Sequence, residues 1–235
     1  MFLWSRPSCP CDPLPTDEFF PERYEPTQER TEALLVRICH FMGVTEAGVT
    51  LKLRHEPNKL WLVNEKGQWL PGPAGTYAQS RGRYIITLDT DELCEPTGLV
   101  ATLAHELAHA RLLGEGRLRG RHHDDELLTD LTAFFLGFAI FVANSPRVWV
   151  SQFTKWPRTR VNKPEYMTAP MYGYALGHLA WFQGRRKPSW AKYLGSHVIN
   201  DFKRASQFLF KIEDSSFRPG PRPGDPPTIP ARVDT

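Results

Sequence analysis

The run from Leu131 to Ala143, "LTAFFLGFAIFVA", is interrupted only by Thr132 and Gly137. Read as a helix, it is apolar on nearly every face. A helix of that kind has no side to offer water and must be enclosed by the rest of the fold. The run is also shorter than the roughly 20 residues that cross a bilayer, so it reads as the central helix of a folded domain. The chain has 235 residues, 41% of them hydrophobic and 23% charged. That is enough material to bury one large core around it.

Other elements arrange themselves around this one by periodicity. Thr27 to about Met42 reads as a first helix, with Leu34, Leu35, Ile38 and Phe41 as its apolar stripe and Gly43 as its end. "VTLKLR" (Val49 to Arg54) and "KLWLV" (Lys59 to Val63) alternate with period two, which predicts a strand pair around the turn at "EPN". "GQWLPGPAGTYAQSRG" is a Gly/Pro-rich connection with room for a short strand, and "RYIITLDT" (Arg83 to Thr90) is the next strong strand. Pro96 and Thr97 open a helix that Gly114 closes. Asp124 or Asp125 can cap the long apolar helix, and "PMYGYALGHLAWFQG" and "HVINDFKRASQFLFK" read as two more.

The order is a helix, a small sheet, then helices, with no internal repeat. It predicts one α+β domain over residues 27–216, preceded by an irregular leader over 1–26 that holds six prolines. A Pro/Gly-rich tail over 217–235 is expected to be disordered. No basic region followed by a continuous apolar run is visible at the start, so a cytoplasmic location without a membrane segment is expected. Cys9, Cys11, Cys39 and Cys94 lack metal-clasp spacing and suit reduced thiols. The net charge of +3 is mild; "GRLRGRHH" and "GRRK" read as solvated loops, and no nucleic-acid partner is expected.

The chemistry concentrates in "VATLAHELAHARLLG" (Val100 to Gly114). Residues four apart share a helix face, so His105 and His109 can present two imidazoles to one ion. Glu106 is placed within reach of a water on that ion, where it can act as a general base. Two histidines and a glutamate in so apolar a setting are costly to bury without a partner. The next helix supplies "ELLTD", with Glu126 and Asp130 again on one face. Glu126 can be a third ligand, and Asp130 can fix a histidine tautomer, His105 first. His122, His123, Asp124 and Asp125, on the short connection before it, are alternative third ligands.

Here the chain resembles the gluzincin branch of zinc metallopeptidases, which combines H-E-x-x-H on one helix with E-x-x-x-D on a later one. The resemblance covers about Arg83 to Asn144. It implies a zincin-like domain with one Zn²⁺, held by His105, His109 and Glu126, with Glu106 as base and Asp130 behind a ligand. It implies a peptide or protein substrate, and "RYIITL" as a sheet edge where an extended peptide pairs. Such a reaction needs a donor to the developing oxyanion, for which Tyr172, Tyr174 and His178 are the candidates. The alternative from another class is an inactive, zinc-stabilised scaffold or interaction module using the same ligands.

Overall fold

The computed structural model describes residues 13–20, 24–55, 62–63, 69–70, 74–118, 125–145 and 166–212. Helix α1 spans Gln28–Met42; the Thr27 side chain caps it by accepting from the Arg30 N–H, and Gly43 leaves it at φ 65°. That left-handed exit is open to glycine at no steric cost. Strand β1 (Val49–Arg54) follows, then β2 (Leu62–Val63), β3 (Trp69–Leu70), β4 (Gly75–Ser80) and β5 (Arg83–Asp89). Helix α2 covers Pro96–His109, α3 Asp125–Ala133, α4 Ala139–Asn144, α5 Ala169–Phe182 and α6 Ser196–Ile212. The fold is mixed α+β and rich in helix.

The main sheet has the order β1-β5-β4, with β1 parallel and β4 antiparallel to β5. This corrects two expectations. In the segment after "EPN" the described residues Leu62 and Val63 pair with Leu70 and Trp69, and β1 lies against β5, with Val49 opposite Tyr84. Alternation marks a strand but carries no information about its partner. Second, "RYIITL" is the centre of the sheet and not its edge. The edge strand that lies over α2 is β4, drawn from the Gly/Pro-rich connection.

Cross-strand partners share a sheet face, which puts Gly75 and Tyr77 of β4 on the same side as Leu88 and Ile86 of β5. Ile86 and Leu88 are fully buried on that face, which covers α2. Glu95 caps α2 by accepting from the Thr97 and Gly98 N–H groups, and Pro96 occupies the first turn, where its missing N–H costs nothing. Past His109 the helix widens into a π-turn, Ala110–Gly114.

The apolar run Leu131–Ala143 does sit in the core, but not as one smooth helix. It passes through a π-turn at Phe134–Phe138, where Gly137 adopts φ 111°. An all-apolar sequence has no stripe to reveal such a phase change. From Glu126 to Asn144 the helical stretch is long and apolar enough to cross a membrane by length and composition, contrary to the length expected from sequence, yet most of it is buried in the fold. Leu131 and Phe135 are exceptions and face outward.

Phe138 packs with Phe41 of α1 and with Phe19, and Phe141 also packs on Phe19. Phe19 lies in the expected leader, whose described residues form no helix or strand, and gives its ring to the core. Cys39 is a buried free thiol, pushed up to about 12 by burial and then by the charge of Glu46, whereas Cys94 is free and exposed. Cys9, Cys11 and the tail over 217–235 lie outside the described residues.

Helices α5 and α6 run side by side in the same direction. A Cβ at Gly173 would fall 2.4 Å from Asp201 Cβ, and one at Gly177 2.8 Å from Ala205 Cβ. The two glycines lie four residues apart, as do Asp201 and Ala205, so the helices stay in step. The chain between them must travel back along the pair, and Trp190 anchors that return by packing on Phe202 and donating to Gln183 Oε1.

Candidate metal centre

Two helices build the site. His105 and His109 lie one turn apart on α2, and their rings meet edge to face with centroids 4.9 Å apart. Glu126 and Asp130 lie one turn apart on α3. The facing surfaces are small: Ala101, Ala104, Ala108 and Ala133 are buried, and the helices approach closely enough for direct contact between the polar side chains.

Each histidine is held by its Nδ1 and presents its Nε2 toward Glu126. His105 Nδ1 lies 2.8 Å from Asp130 Oδ1, and His105 Nε2 lies 3.0 Å from Glu126 Oε2. His109 Nδ1 lies 3.3 Å from Thr129 Oγ1, and its Nε2 lies 3.5 Å from the same Glu126 oxygen. Asp130 is buried, and its other oxygen accepts the backbone N–H of Met167 at 2.9 Å. The carboxylate that orients His105 is therefore itself fixed at both oxygens. With Nδ1 of each imidazole engaged, Nε2 is the atom each histidine turns toward Glu126, and on release of its proton it is the atom that can bind an ion.

The spacing suits one ion. Three ligand atoms from His105, His109 and Glu126 lie within 4.8 Å of one another. Two ligands at zinc distances in a tetrahedron stand about 3.3 Å apart. The observed 3.0 and 3.5 Å bracket that value. Burial raises the affinity of Glu126 for a proton, but hydrogen bonds from His105 and His109 and their charge outweigh it. The carboxyl is held well below the usual carboxylate range. An ionised glutamate facing two imidazole nitrogens is a ready ligand set for a borderline-soft cation.

Glu106 is also buried, only 3% exposed, beneath β4. A Cβ on Gly75 would lie 3.1 Å from Glu106 Oε1 and 2.8 Å from Thr102 Cγ2. Glycine at this position is what allows the strand to cross directly over the carboxylate. Two places further on, Tyr77 stacks on His109 with centroids 5.8 Å apart and planes at 25°. Its hydroxyl points away toward the end of α2, where a Cβ on Gly114 would meet it at 2.9 Å. Burial, and then the charge of Tyr84, pushes the Tyr77 phenol up to about 12.

His122, His123 and Asp124 lie outside the described residues, and Asp125 forms the first turn of α3. Tyr172 is buried in the core of α5. Tyr174 is nearly half exposed and packs edge-on against His178 with centroids 4.7 Å apart. The ring beside His105 is Tyr166 instead, at 5.8 Å between centroids, just ahead of the Met167 amide that reaches Asp130. Tyr166, Tyr77, Gly75 and Thr129 carry no motif of their own. Only Thr129 had a signal available, as the residue beside Asp130 and one turn beyond Asp125.

The chain matches no protein-family model, no curated protein and no solved structure.

Asp130→Asn checks the role of that buried carboxylate. Asparagine keeps the volume, but its single oxygen cannot accept from both His105 and Met167. Metal affinity is expected to fall roughly 10- to 100-fold in competition with a chelator, with the fold retained. An unchanged affinity would remove Asp130 from the site.

Proposed function

We propose that this chain is a zinc-dependent hydrolase acting on peptide bonds, with a zincin-like domain of the gluzincin type. The observation that carries the reading is the convergence of His105 Nε2, His109 Nε2 and one Glu126 oxygen. Glu106, next in sequence to His105 and buried beneath β4, is a carboxylate that is not among the three. Three protein ligands, the number found among the described residues, leave a fourth position for water or substrate, which is the pattern of a catalytic ion, whereas structural zinc sites are closed by four.

When bound, zinc would polarise the scissile carbonyl and acidify a water. Glu106 is the residue to accept that proton and return it to the leaving amine. Its cover by β4 limits competing water and makes its charge felt more strongly. Asp130 and Thr129 hold the two imidazole rings with Nε2 turned toward Glu126. Tyr166, bordering His105, is the candidate to donate toward the developing oxyanion, in preference to Tyr172, Tyr174 or His178. Among the described residues β4 pairs only with β5, and its other edge is where an extended substrate would add as a strand.

The test is digestion of a peptide library by the purified protein supplied with zinc. Cleavage that a chelator abolishes and zinc restores is expected. A zinc-loaded protein that cleaves no peptide would contradict the hydrolase reading and favour a metal-stabilised scaffold.

A further inference from the structure

Because α5 and α6 run in the same direction, their C-terminal ends emerge together. Arg186 marks the junction: its guanidinium carbon lies 5.1 Å above the Phe210 ring and it donates to the Phe210 carbonyl oxygen at 3.4 Å. The last turns therefore share one end of the molecule. Phe182, Phe208 and Ile212 are all exposed there, Ile212 at 51%. Phe208 and Ile212 are one helical turn apart on the same face.

Among the described residues the charge at this end is of one sign. Arg185, Arg186, Lys187 and Lys211 are exposed near these apolar side chains. From residue 169 to 212 the sole acidic residue is Asp201, which lies at the Gly173 end of the pair. Glu213 and Asp214 follow in sequence and leave the cations in excess. As sequence, "GRRK" reads as a solvated loop; the parallel packing of α5 and α6 sets it beside the apolar end of a second helix.

We propose that this end of the α5–α6 pair docks on an anionic lipid surface, with Phe182, Phe208 and Ile212 entering the headgroup region and the surrounding cations on the lipid phosphates. An apolar tip with a basic rim is complementary to such a surface in both respects. A nucleic acid would use the cations but has nothing to offer an exposed Ile212. A second copy of the chain would bring like charges together. The docking is independent of the metal centre, whose residues lie on α2 and α3.

The experiment is co-sedimentation of the full chain with vesicles of phosphatidylcholine alone or phosphatidylcholine containing phosphatidylserine. Binding is expected only to the mixed vesicles, and added salt should weaken it. The combined Arg185→Glu, Arg186→Glu and Lys187→Glu substitutions should weaken binding at least roughly 100-fold. Phe208→Ser with Ile212→Ser should also abolish detectable sedimentation, while circular dichroism and metal content stay unchanged for both variants. Three outcomes would overturn the proposal: no binding to the mixed vesicles, equal binding to both kinds, or retention by either folded variant. Binding of an oligonucleotide lost in the charge variant, without vesicle binding, would make the surface a nucleic-acid one.

Discussion

Glu106→Gln is expected to retain the metal and lose turnover by at least roughly 10²- to 10⁴-fold. Glutamine has nearly the volume of glutamate, so it fits alongside Thr102 beneath Gly75 without disturbing β4. It cannot take up a proton, and it is not one of the three residues whose ligand atoms converge. The loss should appear in kcat more than in KM, because the carboxylate acts on the reacting atoms while the substrate-pairing edge of β4 is left intact. Chelator-sensitive peptide cleavage, measured side by side for both proteins, checks it. Equal turnover would rule out Glu106 as the base. A loss of metal together with activity would instead mean that the residue supports the site's structure.

The largest effect on stability is expected from Gly173→Val. A Cβ there already falls 2.4 Å from Asp201 Cβ and 2.8 Å from the Asp201 carbonyl carbon and the Phe202 nitrogen. Backbone cannot swing aside as a flexible side chain can, so α5 and α6 must separate and uncover Leu176, Phe202 and Leu209. Overpacking of this kind costs about 3 kcal/mol or more. In a domain of this size that is roughly 6–12 °C in Tm, against a total stability on the order of 5–15 kcal/mol. Met171→Val, on the exposed side of the same helix, is the control for β-branching and should change little. Thermal melts of the two variants decide it; equal Tm values would mean the helices are not packed through Gly173.

Local chemistry was legible in the sequence where one element carries its own evidence. Thr27 and Gly43 bound α1 because capping and a left-handed exit are written in single residues. The fourfold spacing of His105 with His109, and of Glu126 with Asp130, is a statement about helix faces. The fold brings those faces together, with His105 between Asp130 and Glu126. Pairing between distant elements was not legible. Nothing in "VTLKLR" says that it lies parallel to β5 instead of hairpinning with its neighbour, since alternation describes a strand's two faces and leaves its edges unspecified. Gly137 sat in an apolar run whose uniformity hid the π-turn. Gly75, Gly173 and Gly177 are needed because something passes close by, and that something is far away in sequence. Tyr166 reaches the site on a stretch with no periodicity at all.

The central claim is that His105, His109 and Glu126 hold one ion. Metal analysis of the purified protein, alongside His109→Ala and Glu126→Ala, tests it most directly. One zinc per chain in the unmodified protein, with tight binding lost in both variants while circular dichroism shows helices retained, is the predicted result. No metal in the unmodified protein after incubation with zinc, or the same content in all three, would contradict it.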